Sequence, residues 1–183
     1  MRIIAGIAGG VKLEALKNAG VRPTTDRVRE SLFNMLTPRL EGCRFLDLYA
    51  GTGANGMEAL SRGAAHAAFV DGSRQAVELI ERNLQKTRLG DDAAIMLKTL
   101  PNAIEDTLQF EAPYDIVFAD PPYGYEDITG LLAAVTANRI IDAGGVLVLE
   151  HHRKQTFGEE ISGLTITRSK VYGDSALSFF DVT

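Results

Sequence analysis

Asp120-Pro121-Pro122-Tyr123 stands directly after the apolar run Asp115-Ile-Val-Phe-Ala119. The run is short, partly β-branched and bounded by turn residues, which predicts a buried strand with the Asp120 carboxylate at its carboxyl end. In open α/β sheets that is the end at which ligands bind. An exocyclic amine of a nucleobase is a poor nucleophile because its lone pair is delocalised into the ring. A site that acts on such an amine must orient the NH2 and draw electron density onto nitrogen. Two acceptors serve this purpose: the Asp120 carboxylate and the Pro121 carbonyl each take one N–H. The fixed φ angles of Pro121 and Pro122 hold the turn, and Tyr123 stacks on the base. The chemistry expected is methyl transfer to a planar exocyclic nitrogen, with Asp120 or water taking the proton afterwards and close placement of the reactants supplying much of the rate. A strand-ending aspartate before prolines is common by itself, so its company decides.

That company lies upstream. Gly51-Thr52-Gly53-Ala-Asn-Gly56 satisfies G-x-G-x-x-G between a predicted strand and a predicted helix, and Asp71 follows Gly51 by twenty positions at the end of the next strand. Glycines of this kind also serve tight strand–helix packing, but an acid at that distance points to a ribose whose hydroxyls Asp71 accepts. Asp47 separates the cofactors that share this pattern. A dinucleotide places pyrophosphate at the helix amino terminus, where a carboxylate four residues before the first glycine repels it. A cationic ligand suits the same carboxylate, and S-adenosyl-L-methionine carries both a sulfonium and an ammonium group.

The elements that must position these residues follow from periodicity. Strands are expected near 44–48, 66–70, 94–97, 115–119 and 145–149, separated by helical patterns near 55–62, 73–88, 100–109 and 126–138. Alternation of this kind implies an α/β fold with a mostly parallel sheet covered on both faces. Residues 163–171 and 175–182 read instead as an antiparallel hairpin that closes the sheet edge around Tyr172-Gly173-Asp174. At the amino end, residues 2–5 and 11–16 read as two short strands around Gly9-Gly10. A helix carrying Val28, Leu32, Phe33 and Leu36 follows and is expected to stop at Pro38.

Composition narrows the class. A chain of 183 residues suits one domain spanning 1–183, with residues 1–40 as an amino-terminal extension. The apolar start is interrupted by Gly9, Gly10 and Lys12, which fits neither a membrane span nor a signal peptide, so a cytoplasmic protein is expected. The lone Cys43 reads as a small buried apolar residue. The net charge of −5 divides unevenly, +4 over residues 1–40 and −9 over the remainder, so phosphate contacts are expected in the amino-terminal segment. No metal is expected. Glu150, His151 and His152 are adjacent on a predicted strand, and alternating side chains do not converge on one ion.

The chain resembles the RsmD family, bacterial methyltransferases that modify guanine N2 in 16S ribosomal RNA of the small subunit. The resemblance rests on Arg2-Ile-Ile, Arg22-Pro-Thr-Thr-Asp-Arg-Val-Arg-Glu-Ser-Leu-Phe-Asn34, Leu46-Asp-Leu-Tyr-Ala-Gly-Thr-Gly53, Glu58-Ala-Leu-Ser-Arg-Gly63, Asp120-Pro-Pro-Tyr123 and Tyr172-Gly173. It implies a seven-stranded, Rossmann-like class I methyltransferase fold and S-adenosyl-L-methionine as donor. It also implies a flipped guanine in the Asp120 pocket, adenine contacts through backbone groups around Thr99 and Leu100, and phosphate contacts from Arg22, Arg27 and Arg29. Assembled small subunits are the expected substrate form. Three positions depart from the family pattern: Ile7-Ala-Gly-Gly-Val11 is apolar where basic residues are usual, Asp71 stands in place of a glutamate, and Thr99 in place of an acid. Two other functions share some of these motifs, a DNA amino-methyltransferase acting on adenine N6 or cytosine N4 and a non-catalytic ribosome-assembly factor with the same fold.

Overall fold

In the computed structural model, which describes residues 1–15, 25–109, 112–122, 124, 125 and 127–182, a twisted sheet carries helices on both faces. Its parallel half is built from β1 (Arg44–Leu48), β2 (His66–Asp71), β3 (Ala93–Leu97), β4 (Tyr114–Ala119) and β5 (Ile141–His152). The antiparallel half adds β6 (Glu160–Ile161), β7 (Leu164–Tyr172) and β8 (Ser175–Val182), and the strand order is β3-β2-β1-β4-β5-β8-β7-β6. The order reverses between β1 and β4, the position at which ligands bind such sheets. Strands β1 and β4 are buried along nearly their whole length, which is why they read as unbroken apolar runs rather than as alternation.

Four α-helices cover the sheet: α1 (Asp26–Leu40), α2 (Ala54–Ser61), α3 (Arg74–Thr87) and α4 (Ile128–Ala137). Thr25 caps α1 by accepting the Val28 N–H, and Ser73 and Asp127 cap α3 and α4 in the same way. Leu32, Phe33 and Leu36 of α1 pack with Phe45, Phe118, Val148 and Leu177 on one face of the sheet. Leu131, Leu132 and Val135 of α4 pack with Leu48, Val117, Leu147 and Phe180 on the other. Cys43 is buried as expected, and burial pushes its thiol up to about 12. No described helix is long and apolar enough to cross a membrane.

Four local expectations are corrected. The sheet has eight strands rather than seven, because positive φ at Ser162 and Gly163 folds Glu160–Ile161 back onto β7. Helix α1 passes through Pro38 to Leu40: the buried Leu36 and Leu40 anchor its last turn, and Arg39 reaches the Gly144 carbonyl at 2.6 Å. The helical pattern at 100–109 is a 3₁₀ turn over Ile104–Gln109. The amino-terminal strand pair shrinks to a single bridge between Arg2 and Lys12, although Ile3 still exchanges backbone hydrogen bonds with Gly10 and Val11.

Candidate active site

The loop after β1 turns on left-handed backbone at Tyr49, Gly51 and Gly53. A Cβ at Gly56, in the first turn of α2, would stand 2.3 Å from the Phe69 ring, so the third glycine exists to let α2 approach β2. Asp47 accepts the Gly56 N–H at 2.9 Å and is 1 % exposed. Burial is the main reason its carboxyl is pushed up to about 8; the neighbouring Asp71 charge adds to this, while the Gly56 N–H opposes it. Asp71 ties the glycine loop to the start of α3, accepting the Gly51 N–H with one oxygen and the Ser73 N–H with the other, each at 2.8 Å. Each carboxylate oxygen has a second lone-pair direction, so these bonds leave acceptor capacity for a ligand hydroxyl.

The chemistry of this donor set fits a cationic nucleoside. Asp47 and Asp71 flank the glycine loop with carboxyl groups, the buried Asp47 being one whose ionisation a bound cation would favour, and Asn55 Oδ1 in the same turn of α2 is a buried acceptor with no hydrogen-bond partner among the described residues. Three acceptors around a helix amino terminus would repel a pyrophosphate and receive an ammonium or a sulfonium. Thr52 is held from two sides, its hydroxyl on Met1 Sδ at 3.3 Å and its carbonyl accepting Asn83 Nδ2 at 3.0 Å. Thr99 is exposed and lies beside Gly72, at the carboxyl end of β3, whereas the Leu100 side chain is in the core and leaves only its backbone for a ligand.

Asp120 follows β4 immediately, and its N–H donates to the Leu48 carbonyl at 3.4 Å, which ties the proline turn to the cofactor loop. Gly124 takes positive φ and the Tyr125 N–H closes the turn on the Pro122 carbonyl at 3.0 Å. Asp120, Pro121 and Pro122 line a cleft together with Tyr125, Ile128, Glu150, His152, Gln155 and Ser175. Burial, then the Glu150 charge, then the Asp47 charge hold the Asp120 carboxyl well above the ordinary carboxylate range. Tyr123 lies outside the described residues.

Two residues at or beside this cleft escaped the motif reading. Tyr49 sits at φ 60°, with its ring 5.9 Å from that of Tyr125 in an edge contact that bridges the glycine loop and the proline turn. Glu150 entered only as a discounted metal ligand, although strand register sets it beside Asp120. Parity counting finds it, but only once β4 and β5 are known to be neighbours. His151 has both ring nitrogens engaged, with the His152 carbonyl at 3.0 Å and Ser178 Oγ at 2.8 Å, and burial lowers its pKa.

The proposed phosphate contacts divide. Arg27 is exposed on α1. Arg29 is not a surface cation: it is fully buried, donates to the Arg2 carbonyl and to Asp26, and lies 3.9 Å from buried Glu58. An arginine with no exposure cannot meet a phosphate, so this expectation is corrected. Its helical position, on the buried stripe shared with Leu32, Phe33 and Leu36, turns it inward. Arg22 lies outside the described residues.

The family model described as Conserved hypothetical protein 95 matches residues 1–181. YlbH of Bacillus subtilis (strain 168), provisionally named an rRNA methyltransferase, is 35 % identical over 180 residues, 98 % of each chain. Ribosomal RNA small subunit methyltransferase D of Escherichia coli (strain K12) is 42 % identical over 123 residues, 67 % of this chain and 60 % of that one. The solved structure of yhhF from Escherichia coli, provisionally titled a methyltransferase, superposes with a TM-score of 0.85 at 31 % identity, covering 100 % of this chain and 97 % of that one.

Proposed function

The chain belongs to the family described as Conserved hypothetical protein 95, the RsmD family, and from that membership and the Asp120 turn we propose that it transfers a methyl group from S-adenosylmethionine to N2 of a guanine in 16S ribosomal RNA. One observation carries the reading: the Leu48–Asp120 hydrogen bond joins a loop suited to a cationic nucleoside to a turn suited to an aromatic amine, at the point where the strand order reverses. When bound, S-adenosylmethionine supplies an electrophilic methyl group. Asp47 and Asn55 face its cationic amino-acid end, Asp71 accepts its ribose hydroxyls, and backbone groups around Thr99 and Leu100 meet the adenine. Asp120 and the Pro121 carbonyl orient the guanine amine, Pro122 keeps the turn rigid, and Tyr123 with Tyr125 provides aromatic surface for the base.

Residues 1–40 serve as the RNA-facing extension of one catalytic unit. With Arg29 turned inward, exposed positive charge on that side includes Arg27 of α1 and Arg168 and Lys170 of β7. All three are exposed, and Lys170 sits 5.5 Å over the Tyr172 ring and donates to Ser31 Oγ at 3.1 Å. Register puts Arg168 and Lys170 opposite Phe179 and Leu177, hence on the sheet face that α1 covers. Strand β7 therefore continues the basic rim that begins on the helix. Nothing observed favours the DNA or the assembly-factor reading.

The test is mass mapping of modified nucleosides in small-subunit RNA from a strain lacking this gene, before and after incubation with the purified protein and a labelled donor. Restoration of a single N2-methylguanine is expected. Label on another base, or none on assembled subunits, overturns the assignment.

A further inference from the structure

Asp120 and Glu150 are neighbours by register. Phe118 pairs with Val148 and Ala119 with Leu149 in the parallel β4–β5 ladder, so one further step aligns Asp120 with Glu150. Ile116, Phe118, Val146 and Val148 all point into the core beneath α1, and counting in twos brings both carboxyls to that same face. Adjacent strands run about 4.8 Å apart. Asp47, which pairs with Phe118 on the next strand, stands one pleat deeper in the same row. Glu150 is 8 % exposed and lines the cleft with Asp120. Around them β8 places Leu177 opposite Glu150, and β5 continues into His151, whose ring nitrogens are engaged, and His152 at the rim. The proline turn adds Tyr125.

Two carboxylates aligned on neighbouring strands, largely out of water, repel each other and destabilise the sheet that carries them. A pair placed this way splits its ionisations: one group loses its proton readily, and the other holds it to higher pH. A carboxylate with that second property is a stronger acceptor for the N2 proton and draws more density onto nitrogen as the methyl bond forms.

Resting on the methyltransferase reading above, we propose that Glu150 is a positioning residue whose charge makes Asp120 the proton acceptor for the guanine N2 amine. As N2 bonds to the methyl carbon, the methyl–sulfur bond breaks and leaves its electron pair on sulfur. The extra proton on N2 passes to the Asp120 carboxylate and from there to water. Burial and the Glu150 charge, with a smaller share from Asp47, raise the Asp120 carboxyl in the direction this role requires.

The test has a readout that does not depend on activity. Carboxyl 13C NMR titration of the protein alone follows Asp120 directly, in the wild type and in Glu150→Gln and Glu150→Asp. Removing the neighbouring charge should lower the Asp120 midpoint by about one pH unit or more, while Glu150→Asp should stay near the wild type. The second readout is the rate of methylation against pH. The wild type should gain activity as Asp120 ionises; Glu150→Gln should move that limb to lower pH and reduce the plateau about tenfold, since the base is weaker. S-adenosylhomocysteine affinity should be unchanged in both variants. An unmoved Asp120 midpoint overturns the pairing. An equal loss of rate at every pH, with the limb in place, overturns the role and leaves Glu150 a structural residue. A wild type that methylates no RNA sinks the functional reading instead, while the titration still decides whether the two carboxyls are paired.

Discussion

Asp47 is a carboxyl group held away from water against the first turn of a helix, and the consequences can be measured. Its folded value of about 8 lies above the ordinary 3.8, so between those limits the unfolded chain carries the charge while the fold holds the proton. Stability is therefore lost as pH rises from about 4 towards 8, by the linkage of proton binding to folding. Asp47→Asn, which can still accept the Gly56 N–H, should raise the midpoint of thermal unfolding at pH 8, a gain on the order of 2 kcal/mol, and should do little at pH 4. A bound cation favours the carboxylate, so cofactor affinity should climb as pH rises to 8, with release of a proton on binding. Calorimetry of S-adenosylhomocysteine in buffers of different ionisation enthalpy measures both, and proton uptake would contradict the assignment. At the other end of the site, Asp120→Ala should leave cofactor affinity nearly intact and cut turnover by the equivalent of roughly 2–4 kcal/mol, the usual loss for a preorganised polar group. Asp71→Ala should show the reverse pattern, weak binding, because it also releases the Gly51 and Ser73 amides.

Among the elements, the amino-terminal hairpin depends most on others. It has one β-bridge of its own, and its amides are satisfied by α2: Glu58 accepts from Ile4 at 2.7 Å and Ala5 at 3.1 Å, and Ser61 accepts from Ala8 at 3.0 Å and Ile7 at 2.8 Å. Buried Arg29 and partly buried Arg62 close the network on Glu58, so its charge is compensated rather than left alone in the core. Gly6 makes the docking possible. It sits at φ +81°, and a Cβ there would fall 1.6 Å from the Ser61 carbonyl oxygen, a backbone atom that cannot step aside. Gly6→Ala should cost about 2 kcal/mol or more. It should also raise hydrogen exchange at the Ile4, Ala5 and Ala8 amides well beyond the change in the sheet. Uniform exchange across the chain would mean that the hairpin is not a separate unit. Because Met1 and Glu14 contact Thr52 and Asn83, detaching the hairpin should also loosen the glycine loop.

For the whole molecule, charge sets the terms of RNA binding. A protein at −5 attracts free RNA weakly, and a few phosphate contacts give limited, salt-sensitive affinity. A substrate that presents an exposed guanine in a preformed shape lowers the unstacking cost and needs less electrostatic attraction. Initial rates on assembled small subunits lacking the modification should therefore exceed those on deproteinised RNA at physiological salt. Equal rates would remove the argument. The triple variant Arg27→Ala, Arg168→Ala, Lys170→Ala should raise KM and flatten its salt dependence without altering S-adenosylhomocysteine binding. An unchanged salt slope would place the RNA elsewhere.

The fold class was legible because burial on both faces forces parallel strands to be apolar throughout, and the segments between them kept helical spacing and capping residues. Asp71 and Asp120 stand at strand ends, which are marked in the sequence by the change from apolar run to glycine or proline, and Asp47 stands one residue inside the end of β1, ahead of the glycine loop. Arg29 and Arg27 look alike in sequence; which of them meets solvent depends on the face of α1 that packs on the sheet, and on Glu58, twenty-nine residues beyond Arg29. Pro38 reads as a helix stop, yet the anchorage of Leu40 overrides that local preference. Glu150 shows the limit most clearly. Its neighbour Asp120 is thirty residues away, and only the lateral pairing of β4 with β5, a long-range choice made by the packing of the whole sheet, puts the two carboxyls on one face at one height.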